Sequence, residues 1–228
     1  MTLVGLKNRF AKPAQWLRAF KDDTSGVAFV EFAFTAPLVL ALGLMGTETA
    51  YYTITHMQVS QIAMQVADNA SRVGEFDVLE EKKVFENDIN EVLVGAEKLG
   101  ASVYLLENGR VIISSLQQNS DGGQWIAWQR CRGAKQHQSS YGKAGDGASG
   151  TSFEGMGAND TKIKASSGTA VMFVEISYTY EALTPFDYLD GKEFNYTAAF
   201  NIRDSRDLTQ LYGASSGQDV ASCSQYTT

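Results

Sequence analysis

Gly26-Val-Ala-Phe-Val-Glu-Phe-Ala-Phe-Thr-Ala-Pro-Leu-Val-Leu-Ala-Leu-Gly-Leu-Met45 is the one long apolar run of this sequence. As a helix, residues 27–46 would extend roughly 30 Å, which matches the hydrocarbon thickness of a bilayer. Thr35 and Pro37 interrupt the run, but membrane helices tolerate both residue types. The run therefore predicts a transmembrane helix, and a buried core helix of a soluble protein is the alternative.

The charges on the two sides of this run differ sharply. The basic residues before it are Lys7, Arg9, Lys12, Arg18 and Lys21. After Gly26 the next basic residue is Arg72, so the positive-inside rule predicts a cytoplasmic N-terminus and an exported remainder. An ordinary secretory signal fits poorly, because Glu48 occupies the position where a small residue should precede a cut after Ala50. We therefore expect a single-pass protein of the inner (cytoplasmic) membrane, with its C-terminal domain in the periplasm or outside the cell.

Glu31 is the anomaly of the apolar run. A carboxylate inside a membrane segment costs a few kcal/mol on insertion scales, so it indicates a functional residue with a partner. The alternative is a carboxylate close enough to the interface to reach water, since Glu31 lies only about one helical turn from the start.

The order of features around Glu31 resembles the class III signal of type IV pilin-like proteins: a basic leader, Gly26, four residues, Glu31-Phe32 and an apolar helix. This resemblance implies that a membrane prepilin peptidase cuts between Gly26 and Val27. Glu31 would then be the fifth mature residue and would pair with the new α-amino group. An ammonium and a carboxylate in one low-dielectric site each reduce the desolvation cost of the other.

The closer resemblance is to the TadE/TadG-like pseudopilins of the tight-adherence (Flp pilus) system. It is carried by the stretch from Ser25 to Leu40, which fits G-x-x-x-[VE]-E-F-A-x-x-x-P-x-x-L and includes Pro37. Weaker similarity extends to residues 63–73 and returns at residues 197–203. The resemblance implies a non-catalytic minor pilin with other pilins, pseudopilins and Tad assembly proteins as partners. Because some relatives keep this segment, an uncleaved envelope anchor or adaptor of the same machine stays open.

The segment after the apolar run predicts a continuing helix over residues 47–73. Its apolar residues recur at helical spacing: Val59, Ile62, Ala63, Val66, Ala70 and Val73. His56 lies on this helix, and we interpret it as a solvated interfacial histidine without a catalytic role. Asp77 is the predicted cap of a second helix, with Glu80 and Glu81 in its first turn and Gly100 at its end.

The remaining sequence predicts a sheet. Five segments have strand character: residues 102–106, 110–116, 124–131, 169–181 and 193–203. Glu107-Asn-Gly109 is a hairpin signal between the first two. Simple alternation along the third places Trp125 and Trp128 on opposite faces. The fold class is therefore α+β, with a pilin-like antiparallel sheet of about five strands.

The domain organisation follows from these elements. Residues 1–26 form a basic cytoplasmic leader, 27–48 a transmembrane helix and 49–228 an exported domain. That domain is helical over residues 49–99 and mainly β over 100–228. Residues 133–168 form a Gly/Ser-rich loop or a partly disordered insertion, in which the large apolar residues are Tyr141, Phe153, Met156 and Ile163.

The two cysteines, Cys131 and Cys223, are predicted to form one disulfide in an oxidising compartment. Two free buried cysteines are the alternative. The charged run from Arg203 to Asp207 is interpreted as a solvated strand exit, with a contact to an assembly partner as the alternative.

Several function classes find no support in the sequence. With two histidines, His56 and His137, it offers no metal-ligand cluster, and the spacing of Asp146 and Asp160 fits no calcium loop. No phosphate-binding glycine motif and no nucleophile elbow is present. The net charge of −7, with no basic-aromatic interleaving, argues against nucleic-acid binding. We therefore predict no catalytic residues, metal or cofactor, and a membrane-tethered enzyme or binding module is the remote alternative.

Overall fold

The computed structural model describes residues 24, 26–75, 81–158, 160–185, 188–213 and 220–228. Three α-helices are present in this part of the chain: α1 (Val27–Arg72), α2 (Glu86–Leu99) and α3 (Leu105–Asn108). Its strands are β1 (Gly109–Gln118), β2 (Gln124–Arg132), β3 (Ala170–Thr179) and β4 (Glu193–Asn201). The chain divides into two compact units between Thr47 and Glu48.

The first unit consists, in its described residues, of the apolar part of α1 and the turn before it. Nearly every residue from 26 to 47 is exposed, and only Ala36 and Ala41 are half-buried. Pro37 lies inside the helix. The hydroxyl of Thr35 donates to the carbonyl of Glu31 at 2.8 Å, and that of Thr47 to the carbonyl of Gly43 at 2.9 Å. These hydroxyls are thus satisfied within the helix, as an apolar medium requires.

The second unit begins with the remainder of α1, from Glu48 to Arg72. Its buried apolar residues follow the helical period: Val59, Ile62, Ala63, Val66, Ala67 and Ala70. They belong to one core cluster with residues of α2, β1, β3 and β4. The prediction that the helix continues past residue 47 is therefore confirmed.

The second helix begins later than the sequence suggested. Asp77 and Glu80 lie outside the described residues, and α2 starts at Glu86, so Glu81 is not in its first turn. The chain before Glu86 is extended because its backbone forms hydrogen bonds with distant segments of the chain and not within a helix. The amide of Lys83 donates to the Glu75 carbonyl at 3.2 Å, and the amide of Glu86 to the Tyr212 carbonyl at 3.0 Å. The predicted end of the helix, at Leu99 before Gly100, is confirmed.

The sheet has the order β2-β1-β3-β4, with every neighbouring pair antiparallel. The α+β class is confirmed, with four strands among the described residues instead of about five. Residues 102–106 are not a strand: Ala101–Val103 is a 3-10 turn, and α3 begins at Leu105. Tyr104 has a φ of 51°, which breaks an extended run, and the Tyr178 hydroxyl holds the Val103 carbonyl at 2.7 Å. The predicted hairpin turn at 107–109 is therefore also wrong.

A β-bulge corrects the predicted placement of the tryptophans. Ser115 pairs with Trp128, whereas the next residue of β1, Leu116, pairs with Ile126. The extra residue in β2 reverses the alternation of its side chains. Trp125 lies opposite Gln117, on the side of β1 that also carries Ser115. Both tryptophans therefore lie on the same face of the sheet.

The two faces of the sheet are covered differently. α1 and α2 pack on one face. On the other face a second cluster is built from Leu116, Ile126, Val171 and Phe173 of the strands and from the long loop. The loop residues that pack against or within this cluster include Tyr141, Phe153, Met156 and Ile163. Residues 133–158 and 160–168 contain neither a helix nor a strand, as predicted, but they form a folded layer.

The β2 edge of the sheet is covered by the C-terminal tail at its Cys131 end and by residues 145–146 of the long loop at Ile126. The structure joins Cys131 to Cys223 in a disulfide, as predicted, with Cα atoms 4.7 Å apart. The amide of Cys131 donates to the Ala221 carbonyl at 3.0 Å, and the amide of Gly133 to the Thr227 carbonyl at 2.9 Å. These contacts use the edge amides of β2 and of the residue that follows it.

Arg110 is a second anchor of the tail. Its side chain is completely buried, and its guanidinium donates to the carbonyl oxygens of Gly133, Cys223 and Gln225 at 2.8–3.0 Å. The same group stacks over the Tyr226 ring, 4.1 Å from its centroid. Burial lowers the pKa of Arg110. Three carbonyl acceptors offset part of the desolvation of the cation, while its buried Nε has no partner among the described residues. The tail is therefore held by charged hydrogen bonds to Arg110 as well as by the disulfide.

Candidate functional site: the start of the long helix

The predicted cleavage position lies at the first turn of α1. The amide of Val27 donates to the Thr24 carbonyl at 3.1 Å, and the amide of Val30 to the Gly26 carbonyl at 3.0 Å. Gly26 is exposed, and a side chain at its position would meet no atom within 4 Å. The peptide bond between Gly26 and Val27 is therefore accessible in the described structure.

Glu31 lies one helical turn beyond Val27 and is exposed, as is its neighbour Phe32. No described residue forms a hydrogen bond or an ion pair with the Glu31 carboxylate. Four residues along a helix correspond to a rise of about 6 Å, so a charge at Val27 would lie within reach of this carboxylate.

An apolar surface surrounds Glu31. Its large exposed side chains include Phe29, Phe34, Leu38, Val39, Leu40 and Leu42. The most apolar window of α1 has a mean hydropathy of 2.1 and no buried residue. By length and composition, α1 is the one helix among the described residues that qualifies to cross a membrane.

Glu48 is a buried acid with a structural role that was not predicted from the sequence. It is fully buried at the start of the second unit. Its carboxylate accepts hydrogen bonds from the Tyr180 hydroxyl at 2.6 Å and from the amides of Leu183 and Thr184 at 3.3 and 2.8 Å. Burial, together with the bond to Glu48, raises the pKa of Tyr180, so the phenol remains a donor. Glu48 thereby fastens α1 to the β3–β4 connection.

One signal in the sequence pointed to Glu48. It is an acid placed where the apolar run gives way to an amphipathic pattern. On its own, this position indicates only that Glu48 is a poor residue for a signal-peptidase site. Its partners lie more than 130 residues away in the sequence, so spacing alone does not identify them.

His56 is not the solvated residue that the sequence suggested. It is half-buried, with its ring centroid 3.9 Å from that of Phe194. Its Nδ1 is hydrogen-bonded to the Tyr196 hydroxyl, and its Nε2 lies 3.3 Å from the Tyr52 hydroxyl. Burial lowers the pKa of His56. The prediction failed because Phe194 and Tyr196, two residues apart on β4, both reach the face of α1.

The remaining candidate residues have structural partners. His137 Nε2 lies 3.0 Å from the buried carboxylate of Glu175, which ties the long loop to β3. Arg203 donates to the Asp68 carboxylate at 2.7 Å. Arg206 is buried and donates to the Ser71 carbonyl at 2.5 Å, so the run from Arg203 to Asp207 is only partly the solvated exit that was predicted.

No group of three or more potential ligands for a metal ion occurs in the part of the chain that the structure describes. The described structure is thus that of an α+β domain preceded by one helix segment long and apolar enough to span a membrane.

Comparison with known families extends this description. Residues 26–72 match the family model described as TadE-like protein, which confirms the resemblance predicted for this segment. The match begins at Gly26 and ends where α1 ends, at Arg72. It associates the chain with the Tad pilus, through a family of pilus components. No curated protein and no solved structure matches the chain.

Proposed function

We propose that this protein is a minor pilin or pseudopilin of a Tad-type (Flp) pilus assembly and secretion machine. It would act without catalysis in the assembly or priming of a filament. One observation carries the proposal: the family match falls on the same segment that combines Gly26, Glu31 and the exposed apolar surface of α1. The partners would be other pilins or pseudopilins and the Tad assembly proteins.

The first step is removal of the leader by a prepilin peptidase after Gly26. The exposure of Gly26 and the free space around it support access by the peptidase. Residues 1–26 would remain in the cytoplasm, and 27–48 would anchor the mature chain in the inner membrane. The basic leader and the absence of Lys and Arg from residues 27–71 support this orientation.

The second step concerns the new N-terminus. Cleavage creates an ammonium on Val27, one helical turn from the carboxylate of Glu31. In a bilayer both charges are costly, and pairing reduces the cost of each. The pair is formed within one subunit or with the N-terminus of a neighbouring subunit, and in the second case it sets the register between subunits.

The mature N-terminus is the decisive measurement. Mass spectrometry of protein purified from cells that contain the prepilin peptidase is expected to give a chain that begins at Val27, with or without N-methylation. Gly26→Val is expected to block processing. Gly43→Val is a matched control, because Gly43 is also exposed on α1 with no atom within 4 Å of an added side chain. An intact leader in the wild-type protein would overturn the processing step and favour an uncleaved anchor or adaptor.

Glu31 is tested separately from cleavage. Glu31→Ala is expected to be processed normally but to assemble poorly, because an unpaired ammonium is then left in the membrane. The measurement is the amount of the protein recovered with sheared pili relative to that in the membrane. Normal recovery of the Glu31→Ala protein would exclude a role for this carboxylate in assembly.

A further inference from the structure

One end of the second unit carries exposed aromatic and aliphatic side chains beside the start of its α1 segment. We define the exit patch as Tyr104, Leu183 and Tyr188, whose side chains are 60%, 59% and 45% exposed. We propose that the exit patch lies in the lipid–water interface and contacts the bilayer directly. The inference rests on the membrane anchoring contained in the proposed function.

The sheet topology brings the patch to one end of the second unit. Gly109, at the start of β1, pairs with Tyr178, near the end of β3. Thr179 pairs with Glu193, at the start of β4. The segment before β1, which holds Tyr104, and the β3–β4 connection, which holds Leu183 and Tyr188, therefore leave the sheet at the same end. The β1–β2 turn at residues 119–123 lies at the opposite end.

Hydrogen bonds fix the β3–β4 connection to the first residues of α1 in this unit. The Glu48 carboxylate accepts the Leu183 amide, and the Thr49 hydroxyl lies 2.6 Å from the Tyr188 hydroxyl. Tyr104 and Leu183 also line one cleft together with Tyr51. The patch is thus built around the turn of α1 that starts at Glu48.

The position of this turn along the helix identifies the partner. Glu48 is the last residue of the proposed span and Thr49 is the first residue after it, and two residues of helix rise only about 3 Å. The interfacial layer on each side of a bilayer is roughly 5–7 Å thick. Groups bonded to Glu48 and Thr49 are therefore at the depth of the lipid headgroups when the span is inserted.

The chemistry of the patch suits this layer. Tyrosine is enriched at membrane interfaces, where its ring meets apolar chains and its hydroxyl meets water. The exposed charged residues nearest in sequence to the patch include the acids Glu107, Glu181 and Asp190. Attraction to anionic headgroups therefore does not drive the contact with the bilayer. Insertion of the apolar and aromatic side chains of the patch drives it. We expect contact with bilayers of zwitterionic lipid, and no increase when anionic lipid is added.

The test uses the full chain, reconstituted alone in zwitterionic lipid nanodiscs. Single cysteines replace Leu183, Tyr188 or Tyr104 and carry an environment-sensitive fluorophore, while the native disulfide stays closed. Ser120→Cys, exposed in the β1–β2 turn, is the aqueous control, and Val39→Cys, within the span, is the buried control. Labels at 183, 188 and 104 are expected to be reduced by dithionite several-fold more slowly than the label at 120, and to be quenched by headgroup-level spin labels.

The controls separate the two proposals. If the label at 39 is protected and those at 183, 188 and 104 react as fast as the label at 120, the contact with lipid is overturned while the anchoring stands. If the label at 39 also reacts fast, the anchoring itself fails. Protection at 183 that develops only after Tad pilus proteins are added would show a protein-docking surface and would overturn the lipid contact.

Discussion

The two parts of α1 differ in almost everything except their backbone. From Gly26 to Thr47 the large side chains are apolar on all sides and exposed. From Glu48 to Arg72 the buried residues form one stripe of small and β-branched side chains, and the other positions are largely polar. A helix that is apolar all round belongs in a uniformly apolar solvent, whereas an amphipathic helix requires one packed neighbour.

One acid of each part, Glu31 and Glu48, differs in the same way, while Asp68 in the second part is paired with Arg72 and Arg203. The carboxylate of Glu31 is exposed and has no partner among the described residues, whereas that of Glu48 is buried and accepts three hydrogen bonds. Glu48 binds groups of its own domain. For Glu31 we propose a different partner, the new N-terminus of a cleaved chain.

The largest expected effect comes from charges placed in the apolar part. Val39→Arg combined with Leu42→Arg adds two cations near the middle of the span, at about 2.5–3.5 kcal/mol each on insertion scales, or roughly 5–7 kcal/mol in total. We expect loss of membrane integration, measured as the fraction that resists alkaline extraction of membranes. Gln61→Arg with Gln65→Arg is the matched control, because both glutamines are exposed on the amphipathic part. Equal extraction of the two variants would contradict the comparison.

The second expected effect concerns packing. Ile62→Ala removes a buried side chain from the core cluster and is expected to lower the free energy of unfolding by about 2–5 kcal/mol. Leu42→Ala removes an exposed side chain and is expected to leave it unchanged. Urea unfolding of the full chain in detergent micelles, followed by tryptophan fluorescence, measures both. A loss with Leu42→Ala as large as that with Ile62→Ala would show that the apolar part also packs on protein.

The third effect compares the two acids. Glu48→Ala leaves the Tyr180 hydroxyl and two amides without their acceptor, and we expect a loss of about 1–3 kcal/mol in the free energy of unfolding. Glu48→Gln retains one carbonyl acceptor and is expected to lose less. Glu31→Ala is the control and is expected to leave the free energy of unfolding unchanged. The same urea unfolding experiment measures these differences. An unchanged free energy of unfolding for Glu48→Ala would show that Glu48 does not stabilise the attachment of α1 to the β3–β4 connection.

The smallest effect is a pH dependence from the amphipathic part. Burial places the pKa of His56 in the folded state below its ordinary value of 6.5. The unfolded chain therefore binds the proton more readily, and stability is lost as the pH falls below about 6.5, by at most about 1.4 kcal/mol for each pH unit. His56→Phe is expected to flatten this part of the stability profile between pH 7.5 and 5.5. His137 is present in both the wild-type and the His56→Phe protein. If stability depends on pH equally in the two, the dependence comes from a group other than His56.

The local sequence pattern was sufficient to predict much of the fold. The length of α1, the end of α2 and strands β1 to β4 all follow from periodicity and from glycine positions, because neighbouring residues determine them. The strand predicted over residues 102–106 was wrong because the αL conformation of Tyr104 and the hydrogen bond from Tyr178 to Val103 depend on tertiary contacts. The predicted placement of Trp125 and Trp128 on opposite faces was wrong because a single inserted residue in β2 reverses the alternation of its side chains.

The candidate site divides in the same way. Gly26 and Glu31 could be proposed as site residues from the sequence, because their spacing along one helix carries the signal, and their roles stay predictions. Glu48, His56 and Arg110 were not recognised for their roles, because their partners are distant in the sequence. For Arg110, a lone cation at the start of a strongly apolar strand was the available signal.

The covered edge of the sheet has a consequence for assembly. Among the described strands, β2 and β4 are the two edges, and the disulfide-bound tail occupies the first. If strands add only at the edge of β4, each copy can pair with at most one other copy. The closed disulfide holds the tail where it pairs with the amides of Cys131 and Gly133, and residues 145–146 of the long loop pair with Ile126. These parts of the β2 edge are therefore not available for strand addition by a second copy.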